Sequence, residues 1–301
     1  MFTYYLPLFM HHKPAGKTHS FQIGWDDDEN RVAEYQRVLG LRRGFDQHLL
    51  LDYADTVTIQ VEEWYAWYNL AYGGRRGIIA PHPLTYNKTE KRFVQQSEAV
   101  AWIKAHPGKR YVIGNEPDCD LSEGECANCL SEAEFADFLH KSIQLIRGAD
   151  PKAYIIVGAW AGGIGEVPSF SHNENDMIKI YYSRYGSLKV DAFSFHVYQR
   201  DAFNNPYPVN KLSKFTQFAK IWKSKGWTDT TDTWLTEFGW SGLDSHNNTI
   251  ANNIAFMDWY IPQLKANPQI KAYFWWEWNN GSMLVENGKA TELGRYYSDM
   301  R

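Results

Sequence analysis

The sequence predicts an α/β fold, a single (β/α)8 TIM barrel that forms one domain over residues 1–301. Strand-like runs alternate with helix-like segments about eight times, which is the count and chain length typical of this fold. No linker-like or low-complexity segment divides the chain. The alternative is an open doubly wound sheet, which usually carries a glycine-rich turn after its first strand. The glycines at 162, 163 and 165 instead follow the fifth predicted strand and lack the required spacing.

Short apolar runs rich in β-branched and aromatic residues are the predicted strands. They lie at residues 4–10, 56–61, 77–80, 111–113, 153–159, 190–198, 233–237 and 270–278. Residues 11–27 contain Pro14 and Gly16 and run into three consecutive aspartates at 26–28, and we predict that they form a long loop.

Segments with helical spacing of apolar residues lie between these runs. Ser131, with Glu134 three residues later, predicts a capping box at the start of a helix that ends at Arg147. The predicted helices span residues 32–39, 46–53, 64–72, 97–106, 131–147, 175–185, 211–225, 249–264 and 292–300.

Charge and hydropathy exclude two classes of partner. The net charge is -4 with a pI near 6.2, so the chain has no basic footprint for nucleic acid. No apolar run is long enough to span a bilayer. We therefore expect no nucleic-acid or membrane partner and a monomeric state. The first ten residues lack a basic leader, so we expect a cytoplasmic protein, or a secreted one whose leader lies outside this sequence.

Three cysteines, Cys119, Cys126 and Cys129, cluster in one segment. Their odd number excludes a complete disulfide framework. One disulfide with a free thiol, reduced cysteines and a three-thiolate metal site remain as alternatives. Only Cys126 and Cys129 have the paired spacing of zinc ligands, so disulfide or reduced cysteines are favoured over a metal. We expect no metal and no cofactor.

Aromatic residues make up 16% of the chain, with 13 Trp and 19 Tyr. Part of this set must be core, because aromatic rings carry large apolar areas. Tryptophan is hard to bury completely, however, and flat ring faces stack well on sugar rings. The composition therefore favours a carbohydrate-binding site over a purely structural role.

The ends of the strands are where a barrel places its functional side chains. Glu116 follows the fourth predicted strand and Glu237 ends the seventh, so the two carboxylates should face each other. Such a pair cleaves glycosidic bonds when one carboxylic acid protonates the leaving oxygen and the other attacks or activates water. We predict a separation of about 5–5.5 Å between the carboxyl groups, the value typical of retaining enzymes. Asn115 is a hydrogen-bond donor beside them.

Further candidate residues lie on the same strand ends. Ser194, His196 and Tyr198 share one face of the sixth strand by its two-residue period. We expect Tyr198 to donate a hydrogen bond to Glu237 and keep it ionised, and His196 to make polar contacts around the pair. A core histidine and a structural tyrosine are the ordinary alternatives. Other predicted sugar-binding residues are His82, Trp160, Trp240, Trp276 and Trp278.

Four motifs carry a family resemblance: Asn-Glu-Pro at 115–117, His-x-Tyr at 196–198, Thr-Glu-Phe-Gly-Trp at 236–240, and a tryptophan-rich eighth strand. Together they resemble the large clan of retaining glycoside hydrolases with catalytic glutamates on strands four and seven, and its endo-β-glucanase families most. The resemblance implies that Glu116 is the acid/base and Glu237 the nucleophile. It also implies that Asn115 binds the sugar 2-hydroxyl and that Trp278 floors the subsite of the reacting sugar. Many members place an arginine late on strand two, and residues 56–61 contain none.

The expected function is retaining hydrolysis of β-glycosidic bonds in a polysaccharide or oligosaccharide, with internal attack on a β-glucan. The alternatives are an exo-acting β-glycosidase, a transglycosylase, and a catalytically inactive carbohydrate-binding barrel. A metal-dependent barrel hydrolase using His11, His12, His82 and the cysteines is disfavoured, because adjacent side chains on a strand point apart.

Overall fold

A computed structural model of the chain describes part of its residues. These are residues 4–10, 18–25, 56–58, 60–61, 85–87, 91–93, 96–105, 107–108, 110–114, 116–118, 130–160, 174–199, 206–240, 248–276, 281–282, 285–286 and 289–299. The elements predicted at 32–39, 46–53, 64–72 and 77–80 lie outside them. None of the described helices combines the length and apolar character needed to cross a bilayer.

The described strands and helices alternate through most of the chain. In order, the strands are β1 (Tyr4–Met10), β2 (Thr18–Trp25), β3 (Thr56–Thr58), β4 (Gln60–Val61), β5 (Thr85–Asn87), β6 (Arg92–Phe93), β7 (Arg110–Ile113), β8 (Tyr154–Trp160), β9 (Ala192–Gln199), β10 (Thr233–Trp240), β11 (Ile270–Trp276), β12 (Val285–Glu286) and β13 (Lys289–Ala290). The helices are α1 (Gln96–Ala105), α2 (Glu132–Ala149), α3 (Glu174–Tyr185), α4 (Tyr207–Ser224), α5 (Ile250–Ala266) and α6 (Glu292–Asp299).

Eight of the strands form one sheet in the order β1-β2-β11-β10-β9-β8-β7-β4. The six inner strands are parallel, and successive strands from β7 to β11 are connected through helices α2 to α5. The last strand of this series, β11, pairs in parallel with the early strand β2, as a (β/α)8 barrel requires. The predicted α/β architecture is thus confirmed.

The predicted loop at 11–27 is wrong in its second half, because residues 18–25 are strand β2. This strand pairs antiparallel with β1 and parallel with β11. Its sequence carries the signal of a strand, because His, Phe, Ile and Trp at 19, 21, 23 and 25 alternate with Thr, Ser, Gln and Gly. Strict alternation of this kind is the pattern of a strand.

The predicted single strand at 56–61 is also corrected. Its first half, β3, belongs to a separate antiparallel sheet with β5 and β6, and only β4 joins the main sheet. There β4 runs antiparallel to β7 rather than parallel. The local sequence specifies an extended conformation but not its partner, because sheet pairing depends on packing against distant segments.

The faces of the main sheet have different environments. One face packs against the helices in a large aromatic core that includes Phe135 and Trp222 from the helices and Phe193 and Phe195 from β9. The other carries a smaller cluster formed by Val112, Ile156, Ala159, Ala192, Trp234 and Ala272, with Tyr154 and Tyr198 packed against it. We call these the helix face and the inner face.

Helix α2 begins as predicted. The Oγ of Ser131 accepts a hydrogen bond from the backbone N–H of Glu134, whose carboxylate in turn accepts one from the N–H of Ser131. This capping box satisfies backbone donors that would otherwise be unpaired at the helix start. The helix is the first one after the segment 116–118 and leads the chain back to the sheet at β8.

Candidate active site

A β-bulge in β10 aims Glu237 at the inner face. Leu235 is opposite Phe195 on β9, whereas Glu237 is opposite His196, so Thr236 is one residue more than the partner strand has. In a regular strand Leu235 and Glu237 would point to the same face. The bulge separates them: Leu235 packs in the helix-face core, and Glu237 meets the inner-face residues His196 and Tyr198.

A second bulge, in β8, supports Glu116. The pairing with β9 shifts between Val157 and Trp160, where Ala159 has a φ of 46°. The Ala159 carbonyl accepts a hydrogen bond of 2.8 Å from the backbone N–H of Glu116. Glu116 itself has a φ of 45°, a left-handed conformation that costs about 1 kcal/mol or more outside glycine. This strained backbone is held by its neighbour, as is common at functional sites.

Glycine at 114 allows the two strand ends to approach each other. Gly114 has a φ of 98°, and a Cβ atom there would come within 3.0 Å of the Gly158 carbonyl oxygen and of the Phe135 ring. A larger residue would therefore push β7 and β8 apart and move the segment that carries Glu116.

The four residues Glu116, His196, Tyr198 and Glu237 meet at one point. The Nδ1 of His196 lies 2.7 Å from a Glu116 carboxylate oxygen and 3.3 Å from one of Glu237. One oxygen from each glutamate and a ring nitrogen of His196 all lie within 4.8 Å of one another. The Tyr198 hydroxyl donates a hydrogen bond to the Glu237 oxygen that faces His196. The carboxylate pair and the tyrosine contact expected from the sequence are both present.

The two carboxylates differ in exposure. The Glu237 side chain is 5% exposed and that of Glu116 is 32% exposed. Burial, with a smaller contribution from the charge of Glu116, raises the pKa of Glu237 well above its ordinary value. The hydrogen bond from Tyr198 acts in the opposite direction, because it stabilises the ionised form.

His196 is buried and neutral in this environment. Burial lowers its pKa, and the contact with Glu116 only partly offsets that effect. Both oxygens near Nδ1 belong to carboxyl groups, which accept hydrogen bonds when ionised. The tautomer with the proton on Nδ1 therefore fits the site, and it lets one imidazole N–H serve either glutamate.

Two predicted sugar platforms are corrected. Trp160 is buried, and its ring packs against Phe135, Phe195 and Trp222 on the helix face. Regular alternation would put it on the inner face with Ile156, but the bulge in β8 turns it outward. Trp240 is buried on the helix face as well, because the bulge in β10 changes the alternation there. Neither ring lies where a sugar could stack on it.

Several other candidates lie outside the described residues: His82, Asn115, Trp278 and the cysteines Cys119, Cys126 and Cys129. Trp276 is the last residue of β11, with Gln22 of β2 as its backbone partner. The described residues therefore include the centre of the predicted site but little of its sugar-binding periphery. A feature that the sequence did not indicate is the backbone carbonyl of Ala159, which no residue-type pattern could reveal.

Glu116, His196 and Glu237 are also the set within the described part of the chain whose geometry could hold a metal ion. They have the donor types of a zinc site. However, the hydrogen bonds from Tyr198 and His196 already engage the carboxylate oxygens, and this arrangement suits a carboxylate pair that exchanges protons. Metal analysis of the purified protein distinguishes a metal site from a carboxylate pair that exchanges protons.

Comparison with solved structures shows similar folds at low sequence identity. A GH128 (subgroup II) endo-β-1,3-glucanase from Pseudomonas viridiflava has a TM-score of 0.52 and 20% identity, over 69% of this chain and 76% of its own. One from Sorangium cellulosum has a TM-score of 0.44 and 18% identity, over 67% and 75%. A GH128 (subgroup III) curdlan-specific exo-β-1,3-glucanase from Blastomyces gilchristii has a TM-score of 0.47 and 20% identity, over 68% and 76%.

Sequence comparison identifies the family. A search of curated proteins gives no match. The family described as glycosyl hydrolase catalytic core matches residues 56–297, a span that contains Glu116, His196, Tyr198 and Glu237. Since this match covers most of the chain, the protein belongs to the glycosyl hydrolase catalytic core family and is a glycosidase.

Proposed function

We propose that this glycosidase is a retaining enzyme that cleaves internal β-glycosidic bonds of a β-glucan by double displacement. The observation that carries the proposal is the pair Glu116 and Glu237, whose carboxylates both contact Nδ1 of His196. An inverting enzyme needs room for a water molecule between its two carboxyl groups, which then lie about 6.5–9.5 Å apart. Carboxylate oxygens within 4.8 Å of one another favour the retaining arrangement.

Exposure and hydrogen bonding support separate roles for the two glutamates. The acid/base must reach the leaving oxygen and then a water molecule, which suits the partly exposed carboxyl of Glu116. The nucleophile must be held rigidly beneath the anomeric carbon, which suits the buried Glu237 with its Tyr198 donor.

The raised pKa of Glu237 is compatible with a nucleophilic role when the pair is considered together. One of its causes is repulsion by ionised Glu116. Two carboxylates this close favour holding one proton between them, and the titration belongs to the pair. When that proton is on Glu116, the repulsion disappears and the Tyr198 hydroxyl favours ionised Glu237. This protonation state, acid on Glu116 and carboxylate on Glu237, is the one that starts the reaction.

The proposed reaction has two steps. A Glu237 oxygen attacks the anomeric carbon while Glu116 gives its proton to the departing glycosidic oxygen, which forms a glycosyl-enzyme ester. Glu116, now ionised, takes a proton from a water molecule that attacks the same carbon and releases Glu237. The N–H of His196, which lies within reach of both carboxyl groups, stabilises whichever of the two glutamates is ionised.

The substrate proposal rests on resemblance. The clan motifs are most similar to endo-β-glucanase families, and the Pseudomonas viridiflava structure that shares this fold is described as an endo-β-1,3-glucanase. We therefore place β-1,3-glucan first among the candidate substrates. Asn115, His82, Trp276 and Trp278 remain proposed sugar-binding residues on the strength of the sequence.

A panel of β-1,3-glucan, mixed-linkage glucan, mannan, xylan and galactan tests the proposal, with products resolved by size. We expect a ladder of oligosaccharides from β-1,3-glucan, since internal attack releases many lengths, whereas exo action would release one small product. The inactive variants should be Glu116→Ala and Glu237→Ala. Glu292→Gln, at an exposed glutamate on α6, is the matched control and should keep wild-type activity. Binding without cleavage of any polysaccharide would instead favour a carbohydrate-binding protein.

Azide rescue tests the two roles. Glu116→Ala should retain cleavage of substrates with good leaving groups, and azide should accelerate it and give a β-glycosyl azide. Glu237→Ala should give, at most, an α-glycosyl azide, because azide then replaces the nucleophile. If Glu116→Ala gave the α-glycosyl azide and Glu237→Ala the β-glycosyl azide, the two roles would have to be exchanged. A hydrolysis product with inverted anomeric configuration, detected by NMR, would exclude the retaining mechanism.

A further inference from the structure

Three buried ionisable side chains lie near the carboxylate pair but take no part in the reaction described above. The relative exposures of Asp118, Glu174 and Lys211 are 0%, 1% and 8%. Residues of these types are almost never buried unless they are paired. Their burial therefore indicates that they act on one another, and we call them the buried charge cluster.

The cluster lies at the same end of the sheet as the site. Asp118 is two residues from Glu116 and is joined to it through the buried Pro117. Glu174 is the first residue of α3, and Lys211 lies near the start of α4. These helices follow β8 and β9, so their N-terminal ends are at the edge of the sheet where those strands finish.

Electrostatic interactions connect the cluster internally and to the site. Glu174 interacts with Asp118 and with Lys211, and Lys211 also acts on the imidazole of His196. Neither carboxyl oxygen of Glu174 has a partner at hydrogen-bond geometry among the described residues, and its charged neighbours are Asp118 and Lys211. Two buried carboxyl groups this close favour one ionised member.

Burial and the neighbouring Asp118 raise the pKa of Glu174 well above its ordinary value, which favours its neutral carboxyl. Asp118 and Lys211 supply one acidic and one basic side chain to the same interior. A buried set of side chains around Glu174 would hold Asp118, and with it the end of the short segment 116–118.

We propose that Asp118, Glu174 and Lys211 are positioning residues that hold the segment carrying Glu116, so that its carboxyl points at the leaving oxygen. Ala159 fixes the backbone N–H of Glu116 from one side, and the cluster fixes the chain two residues later. The inference rests on the proposed function, because it assigns the cluster to the acid/base step. Displacing the carboxylic acid of Glu116 should lower the rate most for substrates whose leaving group needs a proton.

Leaving-group dependence tests this role. The substrates are a β-glucan oligosaccharide and the 2,4-dinitrophenyl glycoside of a shorter one, compared through kcat/KM because it reports the first step. We expect Glu174→Leu to lower kcat/KM on the oligosaccharide about 100-fold, the cost of a small misplacement of a catalytic group. On the dinitrophenyl substrate the loss should stay below about tenfold, since that leaving group needs no acid.

Two milder variants keep the test informative if Glu174→Leu does not fold. Glu174→Gln is a neutral isostere of the protonated carboxyl and should keep both activities near wild type. Glu174→Asp retains the acid but shortens it, and should show the same selective loss on a smaller scale. Gln269→Met is a buried control outside the cluster, where the Gln269 side chain bonds the Thr216 and Thr231 carbonyls. It should lower stability without changing the ratio of the two activities.

Each outcome decides the question. Selective loss on the oligosaccharide in Glu174→Leu or Glu174→Asp, with recovery in Glu174→Gln, supports the positioning role. Equal losses on both substrates, or wild-type kinetics in both damaging variants, would overturn it while leaving the proposed function intact. A wild-type protein that cleaves neither substrate nor any polysaccharide would overturn the proposed function, and the positioning role with it.

Discussion

Replacing Glu237 by glutamine should stabilise the protein while it abolishes turnover. Glu237 is 4% exposed, and burial raises the pKa of its carboxyl well above the ordinary value of 4.5. The unfolded chain therefore loses this proton at a lower pH than the folded protein does. Glutamine has the same shape, still accepts the hydrogen bond from Tyr198, and does not titrate.

The magnitude follows from proton linkage. A group whose folded pKa is raised contributes full stability below its unfolded pKa and loses that stability as the pH rises towards the folded pKa. Between 4.5 and the raised pKa, the unfolded state binds one proton fewer than the folded state. The unfolding free energy of wild type should then fall relative to Glu237→Gln by about 1.4 kcal/mol for each pH unit.

Urea unfolding of the two proteins from pH 4 to pH 8 measures this difference. Groups that do not contact Glu237, such as Glu174, are present in both proteins and largely cancel in the comparison. Glu292→Gln serves as the control, because it makes the same substitution at an exposed glutamate. Turnover of glucan should be lost in Glu237→Gln and kept in Glu292→Gln.

A stability difference that stays constant across this pH range would rule out a raised pKa for Glu237 in the folded protein. The raised pKa would equally be refuted if Glu237→Gln became less stable than wild type as the pH rises, because that sign requires a lowered pKa in the folded state. The expected pattern is that of a residue whose position costs stability in return for activity.

Three further predictions follow from the site. Tyr198→Phe removes the hydrogen-bond donor to Glu237, so kcat/KM on glucan should fall about 10–100-fold and the acidic limb of its pH profile should move to higher pH. Tyr182→Phe, at an exposed tyrosine, is the control. An unchanged pH profile in Tyr198→Phe would contradict the role of Tyr198 as that donor. His196→Phe removes the N–H shared by the two carboxylates, so kcat should fall about 100-fold, and wild-type turnover in steady-state assays would show that the shared bond is dispensable. Trp160→Ala should lower the unfolding free energy by about 3–5 kcal/mol and leave KM for glucan unchanged, because the ring packs in the core. A higher KM with unchanged stability would instead support its predicted role as a sugar platform.

Local sequence was sufficient for the features that depend on short periods. The start of α2 followed from Ser131 and Glu134, because a capping box is formed by residues three apart. The shared face of His196 and Tyr198 followed from the two-residue period of β9, and both side chains reach the carboxylate pair. Glu116 was expected because it follows a predicted strand and Glu237 because the predicted strand ends there, although β10 continues to Trp240.

Only the tertiary structure decided which way several side chains face. The bulges in β8 and β10 turn Trp160 and Trp240 towards the helices and Glu237 towards Glu116, against the regular alternation. Likewise, residues 18–25 and 60–61 owe their places in the sheet to β1, β11 and β7. A bulge and a pairing register arise where two distant segments are fitted together, so one strand's own alternation cannot specify them.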